Sequence, residues 1–138
     1  MALVLDTGPV FASLDRRDPD HLACRRLLES TTEQLVIPAL VLVEVDQLVH
    51  ARLPATAFTA LLDDIGAGAY RLEWLDAADL GRVRYLCERY ADARIGIVDA
   101  SVLTTVERLG EPKLATLDRR HFTLLRPRHV TALTLLPE

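Results

Sequence analysis

Short apolar runs alternate along this chain with longer stretches of helical periodicity, and that alternation decides what it can fold into. Residues 2–5, 34–37, 70–75, 113–117 and 130–136 are too short to be buried helices, and turn-forming or charged residues flank them, so each reads as a strand. Residues 10–14 predict a short helical turn and residues 21–30 a helix. Pro38 suits the first turn of a third helix running to about Arg52, apolar nearly all round at its start and therefore buried. Pro54 opens another, ending near Gly66 and Gly68, and Asp76 is a candidate N-cap for one that carries Leu80, Val83, Leu86, Cys87 and Tyr90. Residues 98–109 predict a further helix, stopped by Gly110. Strands alternating with helices fold as an α/β domain around a mostly parallel sheet of four or five strands, joined by right-handed crossovers.

Composition narrows the class. At 138 residues the chain reads as one domain, 1–138, able to bury a core without disulfide or metal staples. Half of the residues are hydrophobic and the net charge is only −4, which excludes disorder as the main state. The longest uncharged apolar run, residues 35–43, is too short to cross a bilayer. The N-terminus enters a strand at once, with no basic region and no cleavage site, so no signal peptide is expected. Cys24 and Cys87 fall in helical segments and read as free thiols, in keeping with the cytoplasm. The acidic balance, pI about 5.5, argues against a simple electrostatic nucleic-acid binder. It leaves room for a nucleic-acid enzyme whose acidic site holds a divalent cation.

Several acids stand where acids are usually unwelcome. Asp6 ends the run Leu3-Val4-Leu5, and Asp118 ends Leu114-Ala115-Thr116-Leu117. In an open parallel sheet, sites form at the carboxyl ends of strands. Glu44 lies within an apolar helix, where an ionised carboxylate needs compensation. Asp46, two positions on, faces away, and Asp92 reads as a solvated turn residue. Asp99 starts the helix that follows Gly96, where an N-cap role alone would account for it. Each acid has an ordinary structural reading. Together, four such acids converging on one pocket repel one another, and a hard divalent cation such as Mg²⁺ relieves that repulsion. Such a site can activate water and stabilise the oxyanions of phosphodiester cleavage. The chain has no Walker A loop, dinucleotide glycine motif or nucleophile elbow. His21, His50, His121 and His129 lack zinc-ligand spacing, and His121 and His129 read as surface residues or phosphate contacts.

The motifs Val4-Leu5-Asp6-Thr7, the segment from Pro38 to Glu44, Gly96-Ile97-Val98-Asp99-Ala100-Ser101 and Ala115-Thr116-Leu117-Asp118-Arg119-Arg120-His121-Phe122 occur in this order over essentially the whole chain. In them the chain resembles the PIN-domain family and, within it, the VapC-type ribonuclease toxins of bacterial toxin–antitoxin pairs. The resemblance implies an α/β/α sandwich and a Mg²⁺-dependent endoribonuclease, with Mn²⁺ able to substitute. It carries the family's acidic quartet onto Asp6, Glu44, Asp99 and Asp118. Asp6 and Asp99 would be the principal metal ligands, and Glu44 and Asp118 would complete the pocket. Thr7 and Thr116 match small polar positions that support it by hydrogen bonds. The resemblance also implies a cognate VapB-type antitoxin and a homodimer, to which the helix after Pro54 could lend apolar surface.

RNA needs positive charge beside such a pocket. After Asp118 the chain carries Arg119, Arg120, Arg126 and Arg128 with no acid up to Val130, and Arg16 and Arg17 form a second pair. Two other readings compete: a PIN nuclease of RNA maturation without toxicity, and a binding module whose acids serve only as caps and ion pairs. An antitoxin gene upstream and growth arrest on expression separate the first from the toxin. A melting temperature that responds to metal separates the second.

Overall fold

The computed structural model describes residues 1–138. Its centre is a five-stranded, all-parallel sheet. In chain order the elements are β1 (Ala2–Leu5), α1 (Thr7–Leu14), α2 (His21–Ser30), β2 (Gln34–Pro38), α3 (Val41–Arg52) and α4 (Ala55–Gly66). Then come β3 (Arg71–Glu73), α5 (Leu80–Arg89), α6 (Ile97–Leu109), β4 (Lys113–Ala115), α7 (Arg119–Leu124) and β5 (Thr134–Leu136). Single 3-10 turns stand at Ala77–Asp79 and Ala91–Ala93.

The strand order is β3-β2-β1-β4-β5. β1 is central, and all four of its residues are buried, as a parallel strand covered on both faces requires. From β1 the chain winds outward through β2 to β3, then returns across the sheet to lay β4 against the other side of β1. With right-handed crossovers, α1–α4 lie on one face and the return through α5 and α6 on the other. The packing agrees: α1 meets α2 and α3, α3 meets α4, and α5 meets α6. The winding therefore reverses between β1 and β4, and the carboxyl ends of those two strands border a crevice.

The core is continuous from the sheet into α6. Leu3, Val4, Leu5, Val36, Ile37 and Leu114 have no exposure, nor do Ala100, Val102, Leu103 and Val106 of α6. Burying such side chains supplies about 1.5–3 kcal/mol each before entropy is counted. Where α6 buries hydroxyls, the helix satisfies two of them: Ser101 donates to the Val98 carbonyl at 2.7 Å and Thr105 to that of Ser101 at 2.8 Å. No helix is long and apolar enough to cross a membrane.

Several boundaries differ from the sequence expectation. Pro38 closes β2 instead of opening α3, because its missing amide faces the β1 side, where β1 has already ended. Ala39, with the opposite orientation, continues the ladder by donating to the Glu73 carbonyl. The helix α3 begins at Val41, and burial is confined to Val41, Val45 and Val49 while Val43 is 55% exposed, so its apolar start is not buried all round. The helix α1 starts at Thr7, directly after β1, and α7 occupies a stretch whose periodicity predicts nothing. Gly96, not Asp99, occupies the N-cap of α6, which puts Asp99 in the first turn. Cys24 is buried and Cys87 half-buried, both free, and burial pushes the Cys24 thiol up to about 11.

Candidate active site

The crevice at the switch point holds the four acids. Asp6, Glu44, Asp99 and Asp118 line one cavity of about 720 Å³ with Thr7, Gly8, Arg94 and His121. Each acid arrives by a different route. Asp6 follows β1 and is 5% exposed, and its amide donates to the Ala115 carbonyl at 2.8 Å, which ties the ends of β1 and β4 together. Glu44 projects from the first turn of α3 and Asp99 from that of α6. Asp118 is the N-cap of α7, and its Oδ1 accepts from the His121 amide at 3.0 Å.

Two threonines fix the carboxylates. Thr116 Oγ1, 1% exposed, donates to Asp6 Oδ2 at 2.8 Å and accepts from the Asp118 amide at 3.0 Å. One hydroxyl thus joins two of the acids. Thr7 Oγ1 donates to Glu44 Oε1 at 2.7 Å, across from α1 to α3. Gly8 lets Leu117 close over this corner: a Cβ there would lie 3.1 Å from that of Leu117.

Charge in the cavity is poorly balanced. Burial is the main reason the Asp6 carboxyl is pushed up to about 6, with repulsion from Asp99 and Glu44 adding to it and the bonds from Thr116 and the Thr7 amide opposing it. Burial also raises the Asp99 carboxyl, helped by the charges of Asp118 and Glu44 and opposed by His121. His121 Nδ1 lies 3.0 Å from Asp99 Oδ2 and 2.8 Å from Asp118 Oδ2, yet the angles make no hydrogen bond to either. No arginine or lysine pairs with any of the four acids.

This donor set fits a divalent cation. Hard carboxylate oxygens dominate it, and their mutual repulsion is what a small oxygen-seeking ion removes. Ligand atoms of Asp99, Asp118 and His121 lie within 4.8 Å of one another. A parallel sheet with such a pocket at its switch point is an arrangement that can hold a divalent cation.

Comparison with known proteins carries this further. The PIN domain model matches residues 3–125. Ribonuclease VapC26 of Mycobacterium tuberculosis is 34% identical over 135 residues, which is 98% of this chain and 100% of the relative. The chain belongs to the PIN-domain family, a family of metal-dependent nucleases, and within it stands with the VapC-type ribonucleases. The fold agrees with solved structures. The crystal structure of Mycobacterium tuberculosis VapC20, described as a sarcin-ricin loop cleaving toxin, matches with a TM-score of 0.81 at 20% identity, covering 94% of this chain and 98% of that one. VapBC2 from Rickettsia felis, bound to a DNA fragment from its promoter, matches with a TM-score of 0.70 at 16% identity over 99% of this chain and 100% of that one. FitAcB from Neisseria gonorrhoeae gives 0.59 at 18% identity over 84% of this chain and 86% of that one.

None of the arginines named from sequence lines the cavity. Arg119 and Arg120 are exposed at the start of α7, and Arg119 donates to the Pro137 carbonyl at 2.8 Å. Arg126 and Arg128 line separate depressions, and the loop that carries them is tied to α5 and α6. There Arg82 grips Glu107 with two bonds of 2.9 and 2.8 Å, and the Arg128 amide donates to Glu107 at 2.7 Å. Arg16 and Arg17 are exposed on the α1–α2 connection. Two residues of the cavity depart from the sequence reading: His121, read there as a surface residue or phosphate contact, is half-buried between Asp99 and Asp118, and Arg94 was not singled out. His121 is in it because α7 turns its first residues back onto Asp118, and the spacing of Asp118 and His121, three apart, was the available signal. Arg94 left no such signal.

Proposed function

We propose that this chain is the toxin of a toxin–antitoxin pair, an endoribonuclease that uses Mg²⁺, with Mn²⁺ able to substitute, to cleave cellular RNA. The observation that carries this reading is the meeting of Asp6, Glu44, Asp99 and Asp118, from four separate segments, in one cavity. Asp6 and Asp99 are the principal metal ligands in this reading, and Glu44 and Asp118 complete the acidic pocket. A bound divalent cation supplies Lewis acidity, lowering the pKa of a water and offsetting charge on the phosphodiester.

The chain's own residues do the rest. Thr116 holds the Asp6 carboxylate in one orientation, so the ligand meets the cation without first giving up rotational freedom. Thr7 does the same for Glu44, whose free oxygen can accept a proton from the attacking water. Asp118 is oriented by the helix it caps. Arg119 and Arg120, exposed beside Asp118, attract the RNA backbone, and Arg126 and Arg128 extend that basic face.

Residues 1–138 act as one nuclease domain in this reading, in the cytoplasm, where two free thiols persist. A VapB-type antitoxin restrains it, in line with the VapBC2 structure among its structural relatives. The protein works as a homodimer, for which Leu62 of α4, 43% exposed, offers apolar surface.

The test is to incubate antitoxin-free protein with total bacterial RNA in Mg²⁺ and in EDTA, beside Asp99→Ala. A few discrete fragments that need both metal and Asp99 are expected, and mapping their ends names the target. Cleavage that persists in EDTA or in the variant overturns the reading. Growth arrest on expression, relieved by the antitoxin, distinguishes a toxin from a maturation nuclease.

A further inference from the structure

Three residues adopt a positive φ: Gly68, Gly110 and Arg94, the last at +58°. Glycine takes this conformation freely, whereas an arginine there is strained. Such strain persists only where the surroundings impose it, and it concentrates where side-chain placement matters. Here the turn is held by its own bonds. The Arg94 amide donates to the Ala91 carbonyl at 3.0 Å and the Ile95 amide to that of Tyr90 at 3.3 Å, and Ile95 is buried. The backbone geometry would be kept by a glycine or an asparagine at lower cost, so the fold does not account for an arginine.

Arg94 lines the same cavity as the four carboxylates, yet it is exposed and its side chain forms neither an ion pair nor a hydrogen bond. The other basic side chain on the cavity wall, His121, is already placed between Asp99 and Asp118. A guanidinium poised at the lip and bonded to none of the local acids is available for an anion that enters from outside. Its planar fork of five donors matches the non-bridging oxygens of a phosphodiester. The Ala91–Ala93 turn leads into Arg94, and beside it lies a cleft of about 310 Å³ lined by Arg89, Tyr90 and Arg126 among others. The Arg89 guanidinium there sits 5.4 Å from the centre of the Tyr90 ring. That cleft carries two arginines against one acid, Asp92.

Resting on the ribonuclease reading, we propose that Arg94 is a positioning residue that grips a backbone phosphate of the RNA next to the bond to be cut. Its left-handed backbone aims the guanidinium over the cavity mouth. The pocket's acids bind the cation, and Arg94 brings the polyanion to an otherwise negative site.

The test compares the parent with Arg94→Gly, Arg94→Asn and Arg94→Lys. Binding of a short fluorescein-labelled oligouridylate is followed in EDTA, where nothing is cut, across a salt series. Arg94→Gly and Arg94→Asn are expected to melt no lower than the parent, because backbone strain is relieved, while RNA affinity falls roughly 5- to 10-fold. The slope of log affinity against log salt flattens by about 0.7, the loss of one contact to a single strand. Arg94→Lys recovers part of the affinity and the full slope. In Mg²⁺ the loss falls mainly on KM. Unchanged affinity and slope in Arg94→Gly, with the parent binding and cutting RNA, overturns the role of Arg94 alone. A parent that neither binds nor cuts RNA overturns the ribonuclease reading with it.

Discussion

Replacing Asp6 with asparagine is expected to stabilise the metal-free protein while abolishing cleavage. The carboxyl is 5% exposed and is pushed from 3.8 up to about 6, chiefly by burial. A shift of about two units corresponds to about 3 kcal/mol. The folded protein holds this proton more tightly than the unfolded chain does. The group therefore lowers stability as pH rises from about 4 to about 6, and the full loss persists above that. Asparagine keeps the acceptor that Thr116 Oγ1 needs and carries no charge, so it escapes this penalty. The difference between variant and parent should then grow by about 3 kcal/mol between about pH 4 and pH 7.5, which at this chain length is a gap in Tm of roughly 10 °C. Urea unfolding in EDTA, repeated at several pH values, measures it. A difference that stays flat with pH refutes the reasoning, since Asp6 would then titrate alike in both states. So would a variant that loses stability relative to the parent as the pH rises.

Mg²⁺ should stabilise the parent by about 2.7 kcal/mol at a hundredfold excess over its Kd, read as a higher melting temperature, and should leave Asp6→Asn nearly unmoved; equal shifts would place the cation elsewhere. Thr116→Val removes a hydrogen bond to a charged acceptor, worth about 1.5–3 kcal/mol, so the metal-free Asp6 carboxyl should titrate a unit or more higher by carbon NMR, with Thr116→Ser restoring it. Glu107→Ala leaves the buried Arg82 guanidinium and the Arg128 amide without their acceptor and should cost about 3 kcal/mol, read as a lower urea midpoint. Gly8→Val should reduce cleavage more than stability, because displacing Leu117 shifts the adjoining Asp118; equal losses in both would count against that.

Much of the architecture was legible in the chain. The helix over residues 21–30 and the stop at Gly110 appear where expected, because propensity, capping and burial agree there, while Asp76 caps the 3-10 turn that leads into α5 and not α5 itself. Asp6 and Asp118 were legible too, since a carboxylate at the end of an apolar run contradicts its surroundings, and so was Glu44 inside an apolar helix, whereas Asp99 had a sufficient reading as a cap. Boundaries at Pro38 and Thr7 were misjudged because they depend on neighbours. Pro38 stays in β2 only because β1 ends beside it, and Thr7 enters α1 at once because Asp6 is held against Ala115.

By itself the sequence determined most of the element types, the parallel sheet and which acids are out of place, all of which follow from local periodicity and from the cost of burying charge. Tertiary structure alone decided what those acids share. Asp6 and Asp118 are joined by one hydroxyl, that of Thr116, because β1 and β4 lie side by side despite the long stretch of chain between them. His121 and Arg94 entered the cavity through a short helix that periodicity does not predict and a left-handed turn that no local signal announces. Periodicity reports which side of an element is apolar, whereas a site is built from the ends of elements, where pairing across the sheet fixes the neighbours.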